Sequence, residues 1–319
     1  MNRWRSTIPT IPAPLFRDPI YDGAADPTII WNRDEKCWWL LYTNRRATEE
    51  GLGVAWMHGT AIGVASSVDG RDWLYRGTLS GLEFERGHNT FWAPEVVWHA
   101  GRYHMYVSYV RGVSTNWQYR RCIVHMTSTN LWDWQFQSSL PLTSERVIDA
   151  CVFQLPDHGW RMWYKDEGHN SFTYSADSPD LYHWQAGGAI ITDCAHEGPN
   201  VFEWHGRYWM ITDVWHGLGV YTSPDCESWT RQGIILNTPG SRPDDGAIGH
   251  HADVLVQGEK AYIFYFTHPE ILGMAGSDFQ WTYAARRTSL QAAQLVVVNG
   301  QLTCDRDQPF DLHLLPVEV

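Results

Sequence analysis

The chain has 319 residues, of which 44% are hydrophobic, and it carries a formal net charge of −12. This charge argues against nucleic acid as a partner, because nucleic-acid binding depends on neutralising phosphates, and the hydrophobic content is sufficient for a packed core. The sequence contains no apolar run of about 18 residues and no apolar leader, so we expect a cytoplasmic protein that does not enter a membrane.

Five copies of one pair of strands follow one another along the chain. In each copy, a short apolar strand that opens beside a polar or acidic residue is followed by an aromatic-rich strand. The first strands read Asp26-Pro-Thr-Ile-Ile, Ala93-Pro-Glu-Val-Val, Asp149-Ala-Cys-Val-Phe, Gly198-Pro-Asn-Val-Phe and His251-Ala-Asp-Val-Leu. Such a repeat is typical of propellers, and no linker interrupts it. We therefore predict an all-β fold, a five-bladed β-propeller, in a single domain over residues 1–319.

A second repeat, Ser-x-Asp/Asn-x-x-x-Trp, follows an apolar strand in four of the copies. It begins at Ser67, Ser128, Ser178 and Ser223 and ends at Trp73, Trp134, Trp184 and Trp229. Ser, Asp and Asn favour tight turns because their side chains bond to nearby backbone groups. We predict a turn at each copy, with the Trp folded back into the gap between neighbouring sheets.

The last part of the chain gives two expectations. Residues Leu290 to Leu295 offer the only helical pattern, and it is short. The segment from 293 to 309 is expected to form a hairpin around Asn299-Gly300. This hairpin either completes the last blade or closes the ring onto the first.

Three carboxylates stand at or beside the starts of these repeats. Inner strands of a propeller run roughly along its axis, so we expect Asp26, Asp149 and Glu197 to lie within one pocket. Glycoside hydrolysis uses two carboxyl groups beside the scissile bond, and a third acid can tune the pKa of the proton donor. Each acid also has a structural interpretation, since an Asp before Pro27 suits a turn and a buried Asp needs hydrogen bonds. Glu95, further along its strand, is expected to be a buried hydrogen-bonding acid.

The motifs resemble those of a known family. The segments Asp26-Pro-Thr, Trp92-Ala-Pro-Glu-Val, Ile148-Asp-Ala-Cys-Val-Phe and Glu197-Gly-Pro-Asn-Val-Phe resemble, in this order and at blade spacing, the motifs of glycoside hydrolase family 43. The resemblance spans all five units and implies an inverting, exo-acting hydrolase of oligosaccharides. It assigns Asp26 as general base, Asp149 as the residue that tunes the pKa, and Glu197 as general acid. Because the family acts mostly on α-L-arabinofuranosides and β-D-xylosides, a terminal pentose is the first expectation for the substrate.

Further candidates for the site follow from the same resemblance. In many relatives a His at the place of His251 faces a hydrated calcium ion in the central channel, so His251 is a candidate metal-facing and substrate-binding residue. A lone His is a poor calcium ligand, and the pair with His250 leaves the register open. No other cofactor is expected. Trp92 is predicted either as a stacking platform for a sugar or as core. Relatives place a substrate-contacting Arg in the fifth blade, which fits Arg286 or Arg287.

Other functions stay open at this point. A related family that acts on anhydro-galactose ends of agar oligosaccharides uses a similar propeller, and the segment Gly249-His-His-Ala-Asp keeps it open. Retaining fructosidases share the fold but begin with Asn-Asp-Pro-Asn, where this chain has Ala25-Asp26-Pro27-Thr28. A non-catalytic carbohydrate-binding propeller suits the aromatic content but does not need three carboxylates at one axis. Specificity is expected to lie in the loops at residues 45–60, 113–119 and 237–249.

Overall fold

The structure is a computed structural model that describes residues 11–156, 159–271 and 281–317. Within these ranges, twenty strands form five antiparallel sheets of four strands each. The strands are β1 (Ala24–Asn32), β2 (Cys37–Asn44), β3 (Ile62–Ser67), β4 (Leu74–Thr78), β5 (Thr90–His99), β6 (Arg102–Val110), β7 (Cys122–Ser128), β8 (Gln135–Ser139), β9 (Val147–Gln154), β10 (Trp160–Asp166), β11 (Phe172–Ser178), β12 (Gln185–Ile191), β13 (Glu197–Trp204), β14 (Arg207–Asp213), β15 (Leu218–Ser223), β16 (Thr230–Ile235), β17 (His250–Gln257), β18 (Lys260–Thr267), β19 (Ser289–Val298) and β20 (Gln301–Cys304).

Each sheet is one blade built from four consecutive strands. Blade 1 is β1–β4, blade 2 is β5–β8, blade 3 is β9–β12, blade 4 is β13–β16 and blade 5 is β17–β20. The first strand of every blade contacts the first strands of both neighbouring blades, so that β1, β5, β9, β13 and β17 form a closed ring. The predicted five-bladed β-propeller is therefore confirmed.

The turns that join first and second strands follow from local sequence. In blade 2 the turn residues Ala100 and Gly101 have φ values of 47° and 82°, and in blade 4 His205 and Gly206 have values of 54° and 69°. Two consecutive residues with positive φ form the turn type whose twist matches that of paired strands. In both turns the second of these residues is a glycine, which adopts a positive φ without a steric cost.

The Ser-x-Asp/Asn-x-x-x-Trp repeats form the predicted turns. The Ser128 hydroxyl accepts a hydrogen bond from the Leu131 amide at 2.9 Å, and Trp134 Nε1 donates to the Leu131 carbonyl at 2.7 Å. Trp134 lies in one apolar cluster with Trp39 of blade 1 and Met105 of blade 2. The Trp therefore fills the space between two neighbouring blades, as predicted.

The end of the chain completes the ring, and here one prediction is wrong. Residues 290–295 belong to β19, which pairs with both β18 and β20, and do not form a helix. Ala, Gln and Leu favour helices in isolation, but pairing on both edges and burial override this preference. The hairpin of β19 and β20 completes blade 5, and the Leu15 amide donates to the Leu290 carbonyl at 2.8 Å, which ties the N-terminal segment to this blade.

Helices are short in the part of the chain that the structure describes. They are a 3-10 helix at Ala55–Met57 and the α-helix α1 at Tyr283–Arg286, whose N-cap Thr282 accepts from the Ala285 amide. In this part of the chain neither is long and apolar enough to cross a membrane.

Candidate active site

A β-bulge interrupts each inner strand near the same end of the propeller. The register shifts lie at equivalent places in all five blades. In the first four blades, the residue in the bulge has a positive φ: Asp26 (50°), Ala93 (44°), Asp149 (59°) and Gly198 (57°). Bulges bend a strand and turn a side chain to a new direction, and they are common beside active sites. Here they direct the first residues of the inner strands into the cavity at this end.

This cavity has a volume of about 370 Å³. Its lining residues are Asp26, Arg45, Met57, Trp92, Trp117, Arg121, Ile148, Asp149, Lys165, Glu167, Glu197, Trp215 and His251. The volume lies near the lower end of the range for ligand sites, so the cavity fits a small ligand or the end of a longer one. All three predicted catalytic carboxylates line it, as do Trp92 and His251.

Asp26 is buried and held by a guanidinium group. Arg45 Nη2 lies 3.1 Å from Asp26 Oδ1 and 3.3 Å from Oδ2. The Arg45 guanidinium is itself stacked 4.6 Å from the centre of the Phe266 ring. His251 Nδ1 lies 3.6 Å from the same Asp26 Oδ1. These contacts fix the direction of the Asp26 carboxylate within the cavity.

Asp149 is buried without a cation of its own. The Gly198 amide donates to Asp149 Oδ2 at 3.2 Å, and among the described residues Asp149 forms no ion pair. Burial raises the pKa of Asp149 to about 7, with the charge of His251 opposing this rise and that of Glu197 adding to it. Asp149 can therefore hold a proton near neutral pH.

Glu197 has the opposite environment. Lys165 Nζ lies 2.9 Å from Glu197 Oε2. Burial alone raises the pKa of Glu197, but the charge of Lys165 and its hydrogen bond outweigh burial and lower the pKa to about 2. The two carboxyl groups next to Gly198 thus differ strongly in their affinity for a proton.

Lys165 connects Glu197 to a chain of charges that runs to the rim. Its ammonium group also lies 3.1 Å from Glu167 Oε1. Glu167 Oε2 is 2.7 Å from Arg121 Nη2, which also donates to the Trp117 carbonyl at 2.7 Å. Trp117 is 41% exposed and, with the 39% exposed Trp215, offers an aromatic face beside the cavity. Such faces suit sugar rings, whose C–H surfaces pack on aromatic carbons.

Several of these residues were not predicted from the sequence. The unpredicted residues lie on second and third strands or at their ends, whereas the sequence repeats indicate only positions on first strands. They are Arg45, Arg121, Lys165 and Glu167. A signal was present for Lys165, because a lysine that ends the aromatic strand Trp160-Arg-Met-Trp-Tyr must find a partner when buried. Of the three loops expected to carry specificity, those at residues 45–60 and 113–119 line the cavity through Arg45, Met57 and Trp117.

The structure shows which of the two adjacent histidines, His250 or His251, faces the cavity. His250 Nδ1 lies 3.0 Å from Asp213 Oδ2, and the His251 amide donates to the same oxygen at 3.1 Å. Asp213 also accepts from the Trp215 amide at 2.8 Å. This buried carboxylate therefore holds His250 away from the cavity, while His251 lines it.

The calcium ion implied by the resemblance lacks a cage of protein ligands. Within residues 11–156, 159–271 and 281–317, no group of three His, Cys, Asp or Glu side chains could hold a metal ion. His251 offers a nitrogen, whereas calcium prefers several oxygen ligands. These side chains do not fit a calcium site by themselves, and we assign no step to a metal.

The remaining predicted residues occupy different places. Trp92 is buried, its Nε1 donates to the Met57 carbonyl at 2.6 Å, and it lines the cavity. Arg286 ends α1 and Arg287 follows it, so neither lies on a strand. Arg287 pairs with Asp244 at 2.7 Å, and neither arginine lines the cavity. Glu95 accepts from the Val152 amide at 2.8 Å, as expected for a hydrogen-bonding acid.

The close approach of His251 to Gly198 requires that residue 198 has no side chain. A Cβ atom at Gly198 would lie 2.6 Å from His251 Cγ, whereas Gly258 has a similar φ of 59° and open space around it. Both Gly→Ala variants incur the cost of about 1–2 kcal/mol for a positive φ, but only Gly198→Ala must also displace His251. We expect Gly198→Ala to lose more unfolding free energy in urea than Gly258→Ala. Equal losses would show that His251 is not held against Gly198.

Comparisons with known proteins agree on the fold. No protein-family profile and no curated protein matches the sequence, but many solved structures match the fold. A thermostable family-43 glycoside hydrolase aligns with a TM-score of 0.65 at 17% identity, over 93% of this chain and 99% of its own. A GH43 β-1,3-galactosidase aligns at 0.66 and 15% identity, over 93% and 99%. A GH43_1 enzyme from Xanthomonas citri, complexed with xylotriose, aligns at 0.64 and 16% identity, over 92% and 93%. The resemblance seen in the motifs is thus confirmed at the level of the fold.

Proposed function

We propose that the chain is an inverting glycoside hydrolase that releases the terminal sugar of an oligosaccharide. The observation that carries this proposal is the meeting of Asp26, Asp149 and Glu197, from three different blades, in one cavity of about 370 Å³. A binding protein has no need for three carboxylates at one focus. The half-exposed Trp117 and Trp215 beside them supply the surfaces that a sugar needs.

The roles follow from the chemistry of inversion. One carboxylate removes a proton from water as its oxygen attacks the anomeric carbon, and a carboxylic acid on the opposite side protonates the leaving oxygen. Asp26, oriented by Arg45, is the proposed base. Glu197 is the proposed donor to the leaving oxygen. Asp149, buried beside Glu197, is the proposed residue that tunes the pKa of this donor.

The proposed substrate is a terminal α-L-arabinofuranoside or β-D-xyloside. Support comes from the neighbour of similar fold that is complexed with xylotriose. Since another such neighbour is a β-1,3-galactosidase, a terminal galactoside is the second choice. The cavity's charges also favour a neutral sugar, because its arginine and lysine side chains each contact a carboxylate.

The proposal is tested by incubating the purified protein with nitrophenyl arabinofuranosides, xylosides, galactosides and fucosides, and with the matching oligosaccharides. We expect turnover of one pentoside. If a folded protein cleaves none of them but binds an oligosaccharide in calorimetry, a carbohydrate-binding propeller replaces the hydrolase. Cleavage of anhydro-galactose ends of agar oligosaccharides alone would keep the chemistry and change the sugar.

A further inference from the structure

The ion pair between Lys165 and Glu197 conflicts with the idea that Glu197 carries its proton in the free protein. A donor to the leaving oxygen must carry a proton, yet the Lys165 ammonium lies 2.9 Å from Glu197 Oε2. The Lys165 side chain is only 5% exposed and that of Glu197 is 29% exposed, so water reaches the pair from the Glu197 side and screens the attraction only in part. A carboxylate is the form of Glu197 that such a partner stabilises.

The other carboxyl group beside Gly198 has no such partner. Asp149 is 5% exposed and, among the described residues, lies within ion-pair distance of no Lys, Arg or His side chain. A buried carboxylate without a counter-ion, close to two other acids, takes up a proton more readily than its neighbours do. The geometry alone therefore indicates that Asp149 binds a proton more readily than Glu197 does.

We propose that Lys165 is a positioning residue which holds Glu197 as a carboxylate in the free protein, so that the proton consumed by the reaction rests on Asp149. The inference rests on the proposed function and deepens it, because it says where the catalytic proton is stored and which side chain decides this. Other charged groups also face the pair, and all of them line the same cavity: Asp26, Arg45, Arg121, Glu167 and His251.

Lys165 has a second partner that allows the proton to move. Glu167 Oε1 lies 3.1 Å from its Nζ, so the ammonium group can shift toward Glu167 when a leaving group enters beside Trp215. Glu197 then loses its cation and takes the proton, as the O–H bond on Asp149 breaks and one on Glu197 forms. Glu197 passes this proton to the leaving oxygen as the C–O bond breaks, and Asp26 receives a proton from the attacking water. Exchange of one proton with solvent, from Asp26 and back to Asp149, restores the resting state.

A carboxyl titration of the free protein tests this without any substrate. The measurement is ¹³C NMR of labelled Asp and Glu carboxyl groups, with Asp149→Asn and Glu197→Gln identifying the two signals by their loss. We expect Asp149 to titrate with a pKa near 7 and Glu197 with one near 2. In Lys165→Met the Glu197 transition should move up by several pH units, and Lys165→Arg should keep it low. A neutral Glu197 at pH 6 in the wild type, or an unmoved transition in folded Lys165→Met, overturns the proposal.

A second test uses kinetics and separates the proposal from a merely structural role of Lys165. Asp149→Asn should be nearly inactive at pH 7, because Glu197 beside Lys165 cannot hold the proton itself. Adding Lys165→Met should raise kcat of Asp149→Asn at least tenfold and extend its activity to higher pH. If the two changes instead add to a deeper loss, Lys165 does not control the proton. Should the wild type turn over no glycoside, the proposed function fails, while the titration still decides the resting place of the proton.

Discussion

Asp26→Asn is expected to lower kcat by about 10²- to 10⁴-fold, the usual contribution of a general base. An amide cannot take a proton from water at neutral pH, whereas the shape of the side chain is kept. Arg45 retains one oxygen as acceptor, so we expect the folded structure to persist. The measurement is the initial rate on the best glycoside of the panel, together with thermal unfolding of both proteins.

A matched control separates the loss of the base from the loss of a charge. Asp34 lies on the same blade, in the exposed turn between β1 and β2. Asp34→Asn makes the same chemical change away from the cavity and should leave kcat within about twofold, since surface substitutions of this kind are near neutral. Wild-type rates in folded Asp26→Asn would remove Asp26 from the proposed mechanism.

Glu197→Gln should show a loss that depends on the leaving group. For an oligosaccharide, whose leaving oxygen needs a proton, we expect kcat to fall by about 10²- to 10⁴-fold. For a dinitrophenyl glycoside, whose leaving group departs as an anion, the loss should be much smaller. The measurement is a series of aryl glycosides of one sugar, ordered by the pKa of the phenol, compared between variant and wild type.

Glu203→Gln is the control for this variant. Glu203 is on the same strand, β13, with its side chain exposed. It should show the wild-type dependence on the leaving group. If Glu197→Gln loses the same factor on every leaving group, Glu197 supports the site by another route and is not the proton donor.

Much of the fold was predictable because it rests on local patterns that repeat. The pair of an apolar strand and an aromatic-rich strand recurs in every blade, and a Trp after a Ser-x-Asp/Asn turn recurs in four of them, so that each copy reinforces the others. The meeting of Asp26, Asp149 and Glu197 was predictable from the same repeat, since equivalent positions of inner strands approach one axis. The helical pattern at residues 290–295 gave a wrong prediction because the pairing of β19 with both β18 and β20 overrides the helix preference of its residues.

The electrostatics of the site could not be predicted in this way. Lys165 and Arg45 do not occupy repeat positions, and their pairing with Glu197 and Asp26 depends on the distance between strands of different blades or on the course of a loop. The choice between His250 and His251 depends on the bulge in β17 and on the buried Asp213, which sequence alone does not connect to them. Contacts between distant segments thus decide where the protons lie.

The most direct test of the account is ¹H NMR of the sugar first released from a terminal glycoside that the protein cleaves. If Asp26 activates water on the face opposite the leaving group, the first product has the inverted anomeric configuration, and it then mutarotates to equilibrium. A first product with retained configuration would require a covalent intermediate on the protein. That result would contradict the role of Asp26 as a base and, with it, the central claim.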